Sequence, residues 1–394
     1  MPITSRPFVV MAKPVGSRCN LACEYCYYKT EASFGKMTDE LLELFTRQYI
    51  EASEGPEVNV VWHGGEPALA GLDFYRRAVE LQKRYLPVGW FCRNNLQTNG
   101  VLLDDEWASF IAEERFDVGL SIDGAEPLHD KYRKDHGGNG SWQNAVMAIR
   151  CLQAHGVQPD LLCTVTSSAA AEPLAVYRAL RELDTGWIQF IPIVRKDSEG
   201  RLTPDSVSSA VYGDFLCAIF DEWAHNDIGH LDVQLFAEAA RVWSGGEAGL
   251  CWMAPTCGRA IIVEADGGVY SCDHYVYPEY RIGDINISHL RDLVDLPVQI
   301  RFGNDKRDRL HGKCHACAWF AVCNGGCPKD RFLAKNIEQK TGDEPPINHL
   351  CAGLTRFFAH AHPIVMQILQ FARRGWLPSA IMAELRKGSK GEKL

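Results

Sequence analysis

The chain predicts an α/β fold in which six βα units form a partial barrel and a smaller cysteine-rich region follows. Three observations carry this expectation. Short apolar segments alternate with segments of helical length through the first half. Glycine-containing turns stand at the ends of several apolar segments. The cysteines gather in two groups: of 15, three lie within residues 19–26 and eight within 251–351.

The first strand is expected at 8–13 (FVVMAK), and further strands at 58–62, 91–97, 117–122, 160–166 and 187–192. Helices are expected between them at 38–53, 72–85, 104–114, 141–155 and 171–184, where apolar residues recur at helical spacing. This alternation implies a parallel sheet with right-handed crossovers, curled into a full or partial barrel. Functional residues of such barrels stand at the C-terminal strand ends. GGEP after VVWH, TNG after LQ and DG after LSI occupy those places. Residues 204–226 and 232–244 read as two bridging helices. From 251 onward long helical periodicity is lost, and IIVEADGGVYSC reads as a hairpin around Asp266-Gly267. A region this rich in loops has a thin core that bound metal would staple. Residues 353–385 read as closing helices. The expected boundaries are 1–230, 231–357 and 358–394, the last comprising closing helices and tail.

Charge excludes some function classes. The 41 Lys and Arg residues stand against 50 Asp and Glu, a net charge of −9, with no basic half or stripe. Nucleic acid is therefore not the expected partner. The basic run 386–393 is short and reads as a solvated end. No apolar run approaches the length of a bilayer span, and MPITSRPFVVMAKP lacks a signal h-region and cleavage site. The expectation is a soluble cytoplasmic protein with no membrane partner. In a reducing compartment, clustered cysteines bind metal or do chemistry rather than form disulfides. The scattered Cys92, Cys151, Cys163 and Cys217 read as small buried hydrophobes.

Cys19, Cys23 and Cys26 follow the first strand with CxxxCxxC spacing. Three thiolates can hold three irons of a cubane and leave the fourth open to a ligand. A structural zinc site needs a fourth protein ligand nearby, and the first histidine, His63, is well downstream. The second group runs Cys251-x5-Cys257-x14-Cys272, then Cys314-x2-Cys317-x5-Cys323-x3-Cys327, then Cys351. Eight thiolates suffice for two four-ligand sites, with zinc the alternative to iron–sulfur on ligand type alone.

CxxxCxxC with Tyr25 before its last cysteine, then Gly64-Gly65-Glu66-Pro67, then LSIDG, resembles the radical S-adenosylmethionine superfamily. The resemblance implies a radical SAM barrel binding S-adenosylmethionine at a 4Fe–4S cluster. Gly64, Gly65 and Glu66 would hold the methionine amino group, and Tyr25 would lie beside the cluster. Ser121, Asp123 and Arg133 would line methionine and ribose, and Val194 the adenine side. The later cysteines resemble the SPASM domain. By that resemblance Cys251, Cys257, Cys272 and Cys327 hold one auxiliary 4Fe–4S cluster, and Cys314, Cys317, Cys323 and Cys351 another, three clusters in all. A polar stretch containing KTGDEPP precedes Cys351 and reads as a surface loop.

CNLACEYCYYK, WHGGEPALAGLDFY, PTCGRAIIVEADGGVYSCDHYVYPEYRIGDI and CNGGCPKDRF are similar to the anaerobic sulfatase-maturating enzymes. That family oxidises one Cys or Ser of a sulfatase to Cα-formylglycine. The resemblance implies a sulfatase segment as partner and an electron donor such as flavodoxin or ferredoxin. It makes Asp273 the general base and places Tyr28 near the substrate side chain. His63 stands where a relative carries Gln, which leaves Cys or Ser preference open. The alternative is a SPASM peptide maturase forming thioether or carbon–carbon cross-links.

Overall fold

The computed structural model describes residues 7–28, 35–332 and 344–391. Most of KTGDEPP lies outside them. In chain order, β1 (Val9–Ala12), α1 (Asp39–Ala52), β2 (Glu57–Trp62), α2 (Leu72–Tyr85), β3 (Phe91–Thr98), α3 (Asp105–Glu113), β4 (Asp117–Ser121), α4 (Glu126–Tyr132), α5 (Trp142–Ala154), β5 (Asp160–Val165), α6 (Ser167–Ala170), α7 (Pro173–Arg181) and β6 (Trp187–Pro192) realise the six expected units. Then come α8 (Ser209–Asn226), β7 (Asp232–Val233), α9 (Gln234–Trp243), β8 (Ala260–Val263), β9 (Gly268–Tyr270), β10 (Arg281–Asp284), α10 (Leu290–Val294), α11 (Pro297–Asp308), α12 (Gly312–His315), α13 (Phe320–Cys323), α14 (Cys351–Arg373) and α15 (Ile381–Gly391). Among the described residues, no helix is long and apolar enough to cross a membrane.

Local chemistry sets the helix ends. The Thr38 side chain accepts from Leu41 N–H at the start of α1, and Asp104 accepts from Trp107 N–H at the start of α3. Ser208 caps α8, so the helix expected from 204 starts at Ser209. Pro173 occupies the first turn of α7, where its missing N–H costs nothing. The 12-residue α11 corrects the expectation that helical periodicity is lost after 251. Its buried face is Gln299, Gly303 and Lys306, while Val298 and Ile300 are exposed. The period is helical, but polar and small residues occupy the inside, so a hydrophobicity pattern misses it.

The chain divides into two compact units, one comprising 1–121, 130–159 and 257–305, the other 122–129, 160–256 and 306–394. In the first, the strand order is β10-β9-β8-β1-β2-β3-β4. From β8 to β4 the neighbours are parallel; β9 and β10 complete an antiparallel meander. The hairpin read from sequence as part of the cysteine-rich region is thus bonded to β1, with Val9 opposite Ala260 and Ala12 opposite Val263. On the other flank of β1, Ala12 lies opposite Trp62. Trp62 is fully buried and meets Phe74 and Tyr75 edge-on at 5.8 and 5.6 Å between ring centroids. Its indole N–H donates to Asn94 Oδ1 at 2.9 Å, and Asn94 exchanges two hydrogen bonds with Gln82, so the polar atoms of these three side chains are partnered.

In the second unit β5, β6 and β7 are parallel neighbours, and α8 packs against α14. The helices approach through Gly213 and Gly353. A Cβ on Gly353 would lie 2.0 Å from the Ser209 carbonyl oxygen, and one on Gly213 2.7 Å from Gly353 Cα. Gly353 N–H also donates to Ser209 Oγ at 2.9 Å. This contact seats the first turn of α14, which begins with Cys351. Of the four scattered cysteines, Cys163 and Cys217 are buried as expected, whereas Cys92 and Cys151 are only partly covered.

Replacing Gly353 with Val forces this contact open. The expected loss is about 1–3 kcal/mol of stability, as for other overpacked sites, measured by denaturant unfolding. An unchanged midpoint would show that the helices part without cost.

Candidate active site

Parallel register brings three ionisable residues to one sheet edge. Lys13 follows β1, His63 follows β2 and Glu264 follows β8, each one position beyond a registered pair. Backbone bonds continue the ladders there: Lys13 N–H donates to Val263 O, and His63 N–H to Ala12 O, both at 2.9 Å. The hairpin then carries the chain from Glu264 to Cys272 and Asp273.

Asp273 is the focus of this edge. Lys13 Nζ lies 2.7 Å from Asp273 Oδ1, and the Tyr27 hydroxyl donates to Oδ2. Burial alone would raise the carboxyl pKa, but the charge of the neighbouring Lys13 outweighs it and holds Asp273 well below the usual carboxylate range. Glu264 is fully buried and accepts from the Tyr28 hydroxyl. Burial pushes its carboxyl up to about 7 against the opposing pull of Lys13 and Tyr28. The structure therefore turns Tyr28 inward, with Lys13 Nζ 3.2 Å from its ring centroid, and gives the Asp273 contact to Tyr27. His63 Nδ1 accepts from Gly64 N–H at 2.7 Å, which leaves the ring proton on Nε2. Burial lowers its pKa, so the ring is neutral.

The CxxxCxxC loop leans on the segment around Arg133. Ala22 N–H donates to Lys134 O at 2.7 Å and Glu24 N–H to Tyr132 O at 3.0 Å, while His136 Nε2 lies 3.0 Å from Cys19 O. The Arg133 guanidinium lies 5.4 Å from the Tyr25 ring centroid. Gly65 closes the other side: its N–H donates to Gly16 O at 2.9 Å, and a Cβ there would lie 2.1 Å from Arg18 O. Glu66 is buried and turned into the fold, accepting from Ala68 N–H, Thr98 Oγ1 and Asn99 N–H. It latches the glycine turn to the end of β3. Ser121 Oγ accepts from Gln97 at 3.3 Å. In the second unit Asp123 accepts from Thr164 N–H at 2.8 Å, and Val194 is buried.

The thiols fit a cationic cluster. Burial, joined by repulsion from Glu66, Cys23 and Cys26, pushes Cys19 up to about 12 even against a backbone N–H bond. Such thiols ionise only when a cation compensates. Within the second unit burial, and then the neighbouring thiols of the same set, raise Cys314, Cys323 and Cys351, with Cys317 among those neighbours and Cys323 pushed up to about 11. Cys327, pushed up to about 12 by burial, also feels Cys251. Within the first unit, the Gln299 amide donates to the carbonyls of Gly258 and Ser271, the neighbours of Cys257 and Cys272. Soft thiolates in these sets suit iron–sulfur clusters.

Sequence reading missed Lys13, Tyr27, Glu264 and Arg331. The first and third carried a signal: each is a charged residue closing an otherwise apolar strand. Arg331 spreads its guanidinium over the carbonyls of Lys306, Arg309, Asn324, Gly325 and Gly326, pinning the loop between Cys323 and Cys327. No sequence pattern distinguishes it from a surface arginine.

Comparison with known proteins identifies two families in the chain. The Radical SAM superfamily matches residues 14–168, and the SPASM family, an iron-sulfur cluster-binding domain, matches 251–318. The chain is 40% identical to a serine-type anaerobic sulfatase-maturating enzyme of Bacteroides thetaiotaomicron, over 98% of this chain and 97% of the relative. It is 32% identical to a cysteine-type anaerobic sulfatase-maturating enzyme of Clostridium perfringens, over 92% and 98%. A solved structure described as native anSMEcpe with bound AdoMet and Kp18Cys peptide superimposes with a TM-score of 0.84 at 31% identity, covering 92% of this chain and 99% of that one.

The buried Glu264 gives a stability signature. A carboxyl raised from its ordinary 4.5 to about 7 holds its proton more tightly when folded, so it lowers stability as pH rises through that window. Glu264→Gln removes this slope. Relative to the parent, the variant gains roughly 1–3 kcal/mol between about pH 5 and about pH 8, read from denaturant unfolding. Parallel pH profiles would show that Glu264 is ordinary.

Proposed function

The chain belongs to the anaerobic sulfatase-maturating enzymes, and we propose that it oxidises a serine in a sulfatase segment to Cα-formylglycine. The observation that carries this reading is Asp273: an ionised carboxylate next to Cys272, held at the strand ends that also bear the Gly64-Gly65 turn. Serine rather than cysteine follows from the higher identity to the serine-type relative.

Converting –CH2OH to –CHO removes two hydrogens. One leaves Cβ as a hydrogen atom, the hydroxyl hydrogen leaves as a proton, and the remaining electron goes to an acceptor. When bound, a cluster held by Cys19, Cys23 and Cys26 together with S-adenosylmethionine would supply the radical for the first, and clusters held by the eight later cysteines would offer an acceptor for the electron. The chain's own residues handle the proton. Asp273 accepts it, since its carboxylate is ionised and aimed by Lys13 and Tyr27. Neutral His63, with its proton on Nε2, is a donor toward the target oxygen or the peptide backbone. Glu66 keeps the glycine turn in place for the amino group of S-adenosylmethionine. A flavodoxin- or ferredoxin-type protein supplies the electron that starts the cycle.

Anaerobic reconstitution should give about twelve irons per chain. Incubation with paired peptides differing only in Ser or Cys at the target should form formylglycine faster from serine, read by mass spectrometry. Loss of two hydrogens without a carbonyl would instead favour cross-link formation.

Asp273→Asn should keep cleaving S-adenosylmethionine while peptide oxidation falls about 10²–10⁴-fold, the usual contribution of a general base. Normal peptide turnover would remove Asp273 from this role.

A further inference from the structure

Lys13 is fully buried at the end of an apolar strand. An ammonium in that place is costly unless it is paired, and packing of β1 has no need of it. Two neighbours fix its head group: Asp273 Oδ1 at 2.7 Å and the Tyr28 ring, whose centroid lies 3.2 Å from Nζ. Its base is fixed as well, because Lys13 N–H donates to Val263 O and Lys13 O accepts from Gly16 N–H at 3.1 Å. The other ionisable groups facing the pair are Glu264 at the end of β8, His63 at the end of β2, Tyr27 and His274.

We propose that Lys13 is a positioning residue for proton removal: it holds the Asp273 carboxylate in place and acts on the substrate only through it. The alternative is an ion pair that merely stabilises the fold. Geometry favours positioning. The pair joins the C-terminal end of β1 to a short turn beside Cys272, at the edge where Glu264 and His63 also end their strands. Glu264 is a second acid within the lysine's influence, yet the close contact goes to Asp273. The proposal rests on Asp273 being the proton acceptor.

The test uses the cluster-loaded enzyme and reads the ratio of 5′-deoxyadenosine released to formylglycine formed. Lys13→Met, which keeps bulk and removes charge, should raise that ratio at least about tenfold, since a mispositioned base loses part of its 10²–10⁴-fold contribution. Lys13→Arg keeps the charge but moves it, and should give an intermediate ratio. Adding Lys13→Met to Asp273→Asn should change the ratio by less than about twofold, because both act through one carboxylate. A parental ratio in Lys13→Met, or full multiplication of effects in the double variant, overturns the proposal. If Lys13→Met does not hold its iron, Lys13→Arg decides, a parental ratio there counting against positioning. Normal turnover in Asp273→Asn would instead sink the base assignment, a failure separate from a coupled Lys13→Met enzyme with an inactive Asp273→Asn.

Discussion

The parallel pairing of β1 with β8 on one flank and β2 on the other is the constraint on which the site depends. Parallel strands end on the same side of a sheet, and in-register pairs place the next residues of all three strands side by side. Here those residues are Glu264, Lys13 and His63. The hairpin that supplies β8 also supplies Cys272 and Asp273 a few residues later. One strand pairing therefore joins Cys272 and a carboxylate from late in the chain to the strand ends beside the first cysteine loop.

The price of that arrangement is a cluster of buried charges with a single lysine between two acids. The two carboxyls divide in consequence. Asp273 has the close contact and stays ionised, while Glu264, without it, is lifted to about 7. Environment rather than residue type sets these opposite behaviours. Tyr27 and Tyr28 follow the same division, each giving its hydroxyl to one of the acids.

Cysteine placement obeys a related economy. Buried thiols crowded together resist ionisation. Backbone capture does the work a core would do elsewhere. The 130–140 segment supports the first loop, Gln299 bridges the neighbours of Cys257 and Cys272, and Arg331 gathers carbonyls between Cys323 and Cys327. The Gly213–Gly353 contact seats Cys351 at the head of α14.

By itself the sequence determined the six βα units, the two cysteine groups and the family likeness, because periodicity, turn residues and ligand spacing are local properties. Strand starts and ends such as Trp187–Pro192 fall where the apolar pattern puts them. Helix α11 escaped because its inner face is Gln299, Gly303 and Lys306. Only the tertiary structure decided that Lys13 and Glu264 belong to the site, that Tyr27 rather than Tyr28 reaches Asp273, and that Glu66 faces inward as a latch. Those outcomes rest on contacts between residues as far apart in sequence as Lys13 and Asp273. The free energy of a buried charge is set by such neighbours, and no local pattern encodes them.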